Sequence, residues 1–336
     1  MILTAGAALP GQTLLRVRQS RTLRCAAIAE TAEYSSSDDH GPRAAFDGDL
    51  CRAVGVAILG AGAQITITAY PDDVAAMAAL RRRAVDLIPT LTLDLSHASD
   101  LRIGFSTPVL YDGVGLLAPR AARIASVDEL AGKKVCFLAE TQVEVALQTW
   151  FSRRKLNFVP FPFQEEGEME AAFVTGNCAA LAGDVTRLAS TRLNFGPLAD
   201  NYALLPESEP VEISQDPLAA AFLSSDPKFA NIVRWTVEAL LNAEQLGLTR
   251  PSVATLPAVE GAAGSDATIA ILLGQTGEIG RRMGLDDRWG VRVIEAVGNY
   301  GEVYERDLGN GSPLKLPRGP NRLAKDGGWM VPLPLK

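Results

Sequence analysis

Strand and helix patterns alternate twice along this chain, and this alternation limits the possible folds more than any other feature. In the first half, the segments Thr22–Glu30, Gln64–Tyr70 and Val85–Ile88 have strand patterns separated by helical ones. In the second half, extended segments at Lys134–Leu138, Asn157–Phe163 and Cys178–Ala182 are again separated by helices. Two such β-α-β-α-β units predict an α/β chain of two lobes, each a mostly parallel sheet with flanking helices.

This architecture also predicts where a ligand would bind. Parallel sheets bind ligands outside the carboxyl ends of their strands, and a cleft between lobes is a preferred place for a small-molecule site. The length of 336 residues agrees with two lobes, because a domain has roughly 100–200 residues.

Polar residues mark several expected helix boundaries. Asp47 is placed to cap the first long helix, and the run Pro71-Asp72-Asp73 opens the next one. Thr141–Arg154 has a helical pattern that starts directly after a strand, so free backbone N–H groups are expected at its beginning. Asp287–Tyr304 has a helical pattern throughout.

The composition excludes several classes of protein. Hydrophobic residues make up 47% of the chain and charged residues 21%, which excludes a disordered protein. The net charge of −7 argues against a nucleic-acid partner, since such proteins carry a basic face. No apolar stretch reaches the 18 residues that indicate a transmembrane helix.

The usual cofactor and catalytic motifs are missing. The sequence contains no phosphate-binding loop, no GxGxxG, no HExxH and no GxSxG, so we expect neither a cofactor nor a metal ion. The four cysteines are Cys25, Cys51, Cys136 and Cys178. Their even number fits two disulfides in an oxidising compartment, with two buried pairs of free thiols as the less favoured alternative.

Three places carry residues that could bind a ligand. His97 follows Thr90 and Thr92 near the end of a strand, where it could contact an anion or be a plain surface histidine. Asp184 ends a strand and could bind an ammonium group or cap the next helix. The run Glu140-Thr141-Gln142 opens a helix, where an anion or a capping role is favoured.

Seven segments carry a resemblance to one family: in chain order, Asp47–Val54, Leu95–Leu116, Val135–Glu144, Gly176–Asp184, Ile232–Leu246, Gly284–Glu305 and Leu316–Gly328. They resemble the general L-amino-acid-binding periplasmic proteins of ABC transporters, which are type II solute-binding proteins of family 3. The segments span nearly the whole chain in the family's order, and Ile232–Leu246 reads IVRWTVEALLNAEQL.

The resemblance implies the type II periplasmic-binding-protein fold, with the ligand cleft between the lobes. Residues 14–118 and 222–336 would form a discontinuous first lobe, and residues 119–221 the second. From their own composition, which begins apolar and rich in small residues, residues 1–13 are expected to be a signal-peptide remnant or a disordered N-terminus. The family cysteines imply the bridges Cys25–Cys51 and Cys136–Cys178. The family also implies a periplasmic monomer, without enzymatic activity, that delivers a small solute to the permease subunits of an ABC importer.

The resemblance further implies a binding site for an α-amino acid. Thr90 and Thr92 would supply hydroxyl groups for the carboxylate, Asp184 would hold the ammonium group, and Tyr34 would pack on the ligand. Backbone groups of the turn Glu140-Thr141-Gln142 would complete the carboxylate contact.

Two positions depart from the family pattern. His97 stands where the family has an arginine, and Glu140-Thr141-Gln142 replaces a Gly-Thr-Thr turn. Arginine offers a charged, bidentate fork to a carboxylate, whereas histidine is mostly neutral near pH 7. We therefore predict a ligand other than a standard α-amino acid in the usual pose: a cationic, neutral or carboxylate-modified solute. A sensory module without transport and a dehydratase-like enzyme on the same fold are the alternatives.

Overall fold

The computed structural model describes residues 12–29, 43–205, 213–253, 255, 265–276 and 278–335. Ten strands and thirteen helices lie within these residues. The strands are β1 (Thr22–Ile28), β2 (Gln64–Tyr70), β3 (Ile88–Thr92), β4 (Ile103–Tyr111), β5 (Val114–Pro119), β6 (Lys134–Leu138), β7 (Val159–Phe163), β8 (Ala180–Asp184), β9 (Tyr202–Leu204) and β10 (Pro217–Leu223). The helices are α1 (Gln12–Ser20), α2 (Ala44–Leu59), α3 (Asp73–Arg81), α4 (Leu95–Ala98), α5 (Gln142–Arg153), α6 (Glu166–Val174), α7 (Val185–Asn194), α8 (Pro227–Gln245), α9 (Arg250–Val253), α10 (Ser265–Leu272), α11 (Ile279–Arg282), α12 (Trp289–Val297) and α13 (Tyr300–Asp307).

The chain divides into two compact units. The first contains the described residues up to Leu110, the segment Leu218–Asp307 and the described residues from Pro320 onward. The second contains Tyr111–Pro217 and Leu308–Gly319. These limits differ from the predicted lobes in three places, one of which is the second crossing, at Pro217–Leu218 instead of 221–222. The chain first passes from the first unit to the second after Leu110, not after residue 118 as predicted, because β5 pairs within the second unit's sheet. Residues 308–319 join the second unit, where the Leu314 carbonyl accepts a hydrogen bond from Arg192 Nη2 over 2.7 Å.

The first unit combines parallel and antiparallel strands. β1 and β2 pair in parallel along their full length, and an isolated parallel bridge joins Cys25 of β1 to Leu87. β3, β10 and β4 form a three-stranded sheet in that order, in which β10 runs antiparallel to β3. The core between these strands and α3 consists of small and branched residues, among them Ala26, Ile28, Ala76, Leu80, Ile88, Leu91 and Ala221.

The second unit has a five-stranded sheet in the order β7-β6-β8-β5-β9. β6 pairs in parallel with β7 and with β8, as the alternating pattern predicts. β5 runs antiparallel to both of its neighbours, β8 and β9, because it enters from the crossing between the units. The parallel strands β6, β7 and β8 are followed by α5, α6 and α7, so these three helices begin at the same edge of the sheet.

The structure corrects three predicted boundaries. Asp47 is not a cap: α2 begins at Ala44, and the buried Asp47 carboxylate accepts a hydrogen bond from the Thr90 hydroxyl over 2.6 Å. The strand expected at 85–88 instead starts at Ile88, because its pairing with β10 sets its register. The helix expected at 287–304 is broken at Gly298, whose φ is 91°.

Local hydrogen bonds explain that break. The Asn299 side chain accepts from the Glu302 N–H over 2.9 Å, and the Glu302 carboxylate accepts from the Asn299 N–H over 2.9 Å. This reciprocal pair is a capping box, which starts a new helix after the left-handed glycine.

Both disulfides implied by the family resemblance are present. Cys25–Cys51 joins β1 to α2 in the first unit, with a Cα–Cα distance of 6.3 Å. Cys136–Cys178 lies in the second unit, with a Cα–Cα distance of 5.8 Å. Among the described residues, no helix combines the length and apolar character needed to cross a bilayer.

Candidate functional site

A pocket of about 240 Å³ lies in the second unit, where α5, α6 and α7 begin. Its polar lining comes from the first turns of these helices and from the end of β8, and includes Thr141, Gln142, Glu166, Asp184 and Arg187. This is the carboxyl end of the parallel strands, where the topology of the sheet predicts a ligand. The structure thus brings three of the predicted site residues, Thr141, Gln142 and Asp184, into one pocket.

Asp184 is half-buried at the end of β8 and does not cap α7 with its side chain. The cap comes from another acid. The buried Asp112 carboxylate accepts from the Thr186 N–H over 3.0 Å and also from the Thr186 hydroxyl. The Asp184 side chain lines the pocket, where it is a candidate partner for a cationic group.

The turn before α5 has an unusual backbone. Glu140 is exposed and has a φ of 60°, a left-handed conformation that costs a residue other than glycine roughly 1–2 kcal/mol. A glycine at this position, as in the resembling family, would adopt it freely. The Thr141 hydroxyl donates to the Leu138 carbonyl over 2.7 Å and does not cap α5.

An ion pair that the sequence analysis did not identify lines the same pocket. Arg187 Nε and Nη2 donate to the two oxygens of Glu166 over 2.9 and 3.1 Å, in the bidentate geometry of strong arginine–carboxylate pairs. Both side chains are largely covered, at 21% and 25% exposure. One signal was available in the sequence: an arginine in the first turn of a helix opposes the helix dipole, so it needs a local partner.

The candidate residues of the first unit form a separate group. Thr90 is 1% exposed, and its hydroxyl is bonded to Asp47 inside the core. The Thr92 hydroxyl donates to Asp73 Oδ2 over 3.3 Å. Asp73, which the sequence analysis assigned only to a helix start, also faces His97, so the structure brings Thr92, Asp73 and His97 together.

His97 lies between two carboxylates. Its Nδ1 is 2.9 Å from Asp94 Oδ1, and its Nε2 is 3.4 Å from Asp73 Oδ2. Asp94 also caps α4, since it accepts from the His97 backbone N–H over 2.7 Å. A ligand carboxylate that approached this ring would be repelled by both acids. The group therefore suits a cationic or hydrogen-bond-donating partner better than an anion.

Tyr34, the expected aromatic contact, lies outside the described residues. Within the described part of the chain, no group of three or more His, Cys, Asp or Glu side chains is arranged to hold a metal ion.

Sequence comparison finds relatives along the whole chain. The general L-amino acid-binding periplasmic protein AapJ of Rhizobium johnstonii is 31% identical over 343 residues, which cover 100% of this chain and 96% of AapJ. The glutamate/glutamine/aspartate/asparagine-binding protein BztA of Rhodobacter capsulatus is 30% identical over 335 residues, which cover 99% of this chain and 96% of BztA. No protein-family model matches the sequence.

A solved structure is also similar over nearly its full length. It is an ABC transporter periplasmic binding protein from Brucella ovis with glutathione bound. The two chains are 32% identical and align with a TM-score of 0.77 over 96% of this chain and 98% of the other. All three of these proteins are named as binding proteins.

Proposed function

This chain belongs to the amino-acid ABC transporter-binding proteins, and from this premise we propose that it is an extracytoplasmic receptor for an amino-acid-like solute. Its fold is that of the type II periplasmic binding proteins, as the resemblance predicted. In this role the protein works in the periplasm as a monomer and delivers its solute to the permease subunits of an ABC importer. Its two disulfides fit that oxidising compartment.

The observation that carries the proposal is the position of Asp184 in the second unit's pocket. Asp184 is the last residue of β8, and its side chain lines the pocket without capping α7. An ammonium group bound there would form a charge-assisted hydrogen bond, stronger than a neutral one. The pocket volume of about 240 Å³ is enough for a small amino-acid-like head group.

The His97 group supports a ligand that is not held like a standard α-amino acid. An arginine in its place would carry a permanent charge, whereas His97 already faces Asp73 and Asp94. Losing a buried charge pair with a ligand costs about 2–5 kcal/mol. Since 1.4 kcal/mol is a tenfold change, ordinary L-amino acids would bind in roughly the millimolar range if micromolar were usual. The glutathione bound to the Brucella ovis protein makes a small peptide the first alternative to test.

A thermal-shift screen tests this function. The purified protein is heated with single L-amino acids, glutathione, polyamines, short peptides and organic acids. A ligand that binds only the folded state stabilises it by about 2.7 kcal/mol at a hundred times its Kd. We expect a shift with at least one amino-acid-like solute and weak shifts with ordinary L-amino acids. Strong shifts with many ordinary L-amino acids would contradict the altered binding mode, and no shift with any solute would contradict the receptor function.

A further inference from the structure

The Glu166 carboxylate contacts the Arg187 guanidinium in the same geometry that the carboxylate of a bound ligand would have. Two oxygens of one carboxylate face Nε and Nη2 of one guanidinium, over 2.9 and 3.1 Å. The partners lie on different helices, α7 and α6, and both line the pocket that contains Asp184. The pair is therefore part of the binding surface as well as a link between the two helices.

The position of Arg187 is unfavourable for a purely structural arginine. It is the third residue of α7, where the positive end of the helix dipole destabilises a cation by about 0.3–1 kcal/mol. Its side chain is also four-fifths covered, which adds a desolvation cost. A carboxylate on the guanidinium offsets both costs, and either Glu166 or a ligand can supply it.

We infer that Arg187 is the residue that binds the ligand's carboxylate. In the absence of ligand, Glu166 binds the Arg187 guanidinium, and the ligand's carboxylate replaces it. This inference rests on the proposed receptor function and names the chemistry of its ligand. It provides an arginine contact for a carboxylate other than the α-carboxylate that the family's arginine holds, so ordinary L-amino acids with a single carboxylate still bind weakly. The ligand then carries an ammonium group for Asp184 and a carboxylate for Arg187.

The exchange makes opposite predictions for the two partners of the pair. Glu166 competes with the ligand, so removing its charge strengthens the binding of a carboxylate. Arg187 binds the ligand, so removing its charge weakens that binding. A structural ion pair would behave differently, because breaking it from either side would have the same effect.

Isothermal titration at constant ionic strength tests the inference with three named probes: glutathione and L-glutamate, which carry carboxylates, and putrescine, which carries none. The variants are E166Q, R187Q and R187K. R281Q is the control, since Arg281 belongs to the first unit, pairs there with Glu278 and Asp287, and does not line this pocket. The melting temperature of each variant confirms that it is folded.

The carboxylate probe that binds better is expected to lose about tenfold or more in affinity with R187Q, corresponding to one lost charge-assisted contact of about 1.4 kcal/mol. R187K should give an intermediate loss, because lysine keeps the charge and loses the fork. E166Q should bind this probe more tightly than the wild type, and R281Q should bind it equally well.

Three outcomes would overturn the inference. The first is an affinity for carboxylate probes that R187Q leaves unchanged, and the second is an equal loss in E166Q and R187Q. The third is the absence of binding of either carboxylate probe to every variant, E166Q included. If putrescine or an amino-acid-like solute still binds in these cases, the receptor function stands and only the role of Arg187 fails.

Discussion

The buried Asp112 carboxylate accepts a hydrogen bond from the Thr186 backbone N–H over 3.0 Å, and so caps α7 from a distant part of the chain. Asp112 precedes β5, while Thr186 follows β8, and these two strands pair directly. The contact therefore fixes the start of α7 to the sheet. Asp184, the residue at which β8 ends, does not cap α7 with its side chain and lines the pocket.

The first prediction concerns this cap. D112A should lower the free energy of unfolding by about 1–2 kcal/mol, the usual cost of a lost helix cap. The Thr186 N–H would also be left buried without its acceptor. Urea unfolding of D112A measures the effect, with D128A as the control, because the Asp128 side chain is 56% exposed. Equal stability of the two variants would contradict the capping role.

The second prediction concerns His97. H97R should not restore tight binding of ordinary L-amino acids, because its guanidinium would pair with Asp73 and Asp94 at the positions the imidazole now occupies. The double variant H97R/D94N removes one of these acids and should bind ordinary L-amino acids more tightly than H97R. Titration with L-glutamine compares them. Micromolar binding to H97R alone would show that the two acids do not control this position.

The third prediction concerns the disulfides. Replacing both cysteines of Cys136–Cys178 by alanine should cost about 3–4 kcal/mol, as expected for a loop of this length. A reducing agent should lower the melting temperature of the wild type. It should leave unchanged the melting temperature of a variant in which all four cysteines are replaced by alanine. A wild-type melting temperature that does not respond to reduction would contradict a stabilising role.

The fourth prediction concerns Asp307, which is 8% exposed at the end of α13. Burial raises the pKa of Asp307 to about 7, and the neighbouring Asp49 adds to this rise, while Arg306 opposes it. The folded state therefore holds a proton that the unfolded chain releases near pH 4. The stability that comes from keeping Asp307 protonated in the folded state is fully present below pH 4 and is lost as the pH rises through 7.

D307N keeps a neutral side chain at every pH, so it should not lose this contribution. Its stability relative to the wild type should rise between pH 5 and pH 8, as measured by urea unfolding at each pH. Parallel stability curves of the two proteins would contradict the raised pKa of Asp307.

The sequence predicts the strands well where the local pattern is strong. The expected segments Gln64–Tyr70 and Lys134–Leu138 are identical to β2 and β6, because period-two alternation and a short apolar run are local signals. It predicts β3 poorly, because the register of that strand depends on its pairing with β10, more than 120 residues later. Gly298 gives a local signal for the break between α12 and α13, but the helical pattern on both sides hides it.

The site is predictable in part for the same reason. Asp184, Thr141 and Gln142 lie at the ends of elements that the sequence identifies, so the topology alone brings them to one edge of the sheet. The Asp112 cap joins residues 74 apart, and the Arg187–Glu166 pair joins two different helices. Such contacts depend on how the elements pack, which no local pattern records.

The most direct test of the account compares wild type and D184N in one isothermal titration, with the amino-acid-like solute that gives the largest thermal shift. We expect saturable one-to-one binding to the wild type. D184N should bind about tenfold or more weakly, the loss of one charge-assisted contact, and its melting temperature shows that the variant is folded. Equal affinities of the two proteins would contradict the central claim that the pocket at Asp184 binds the solute.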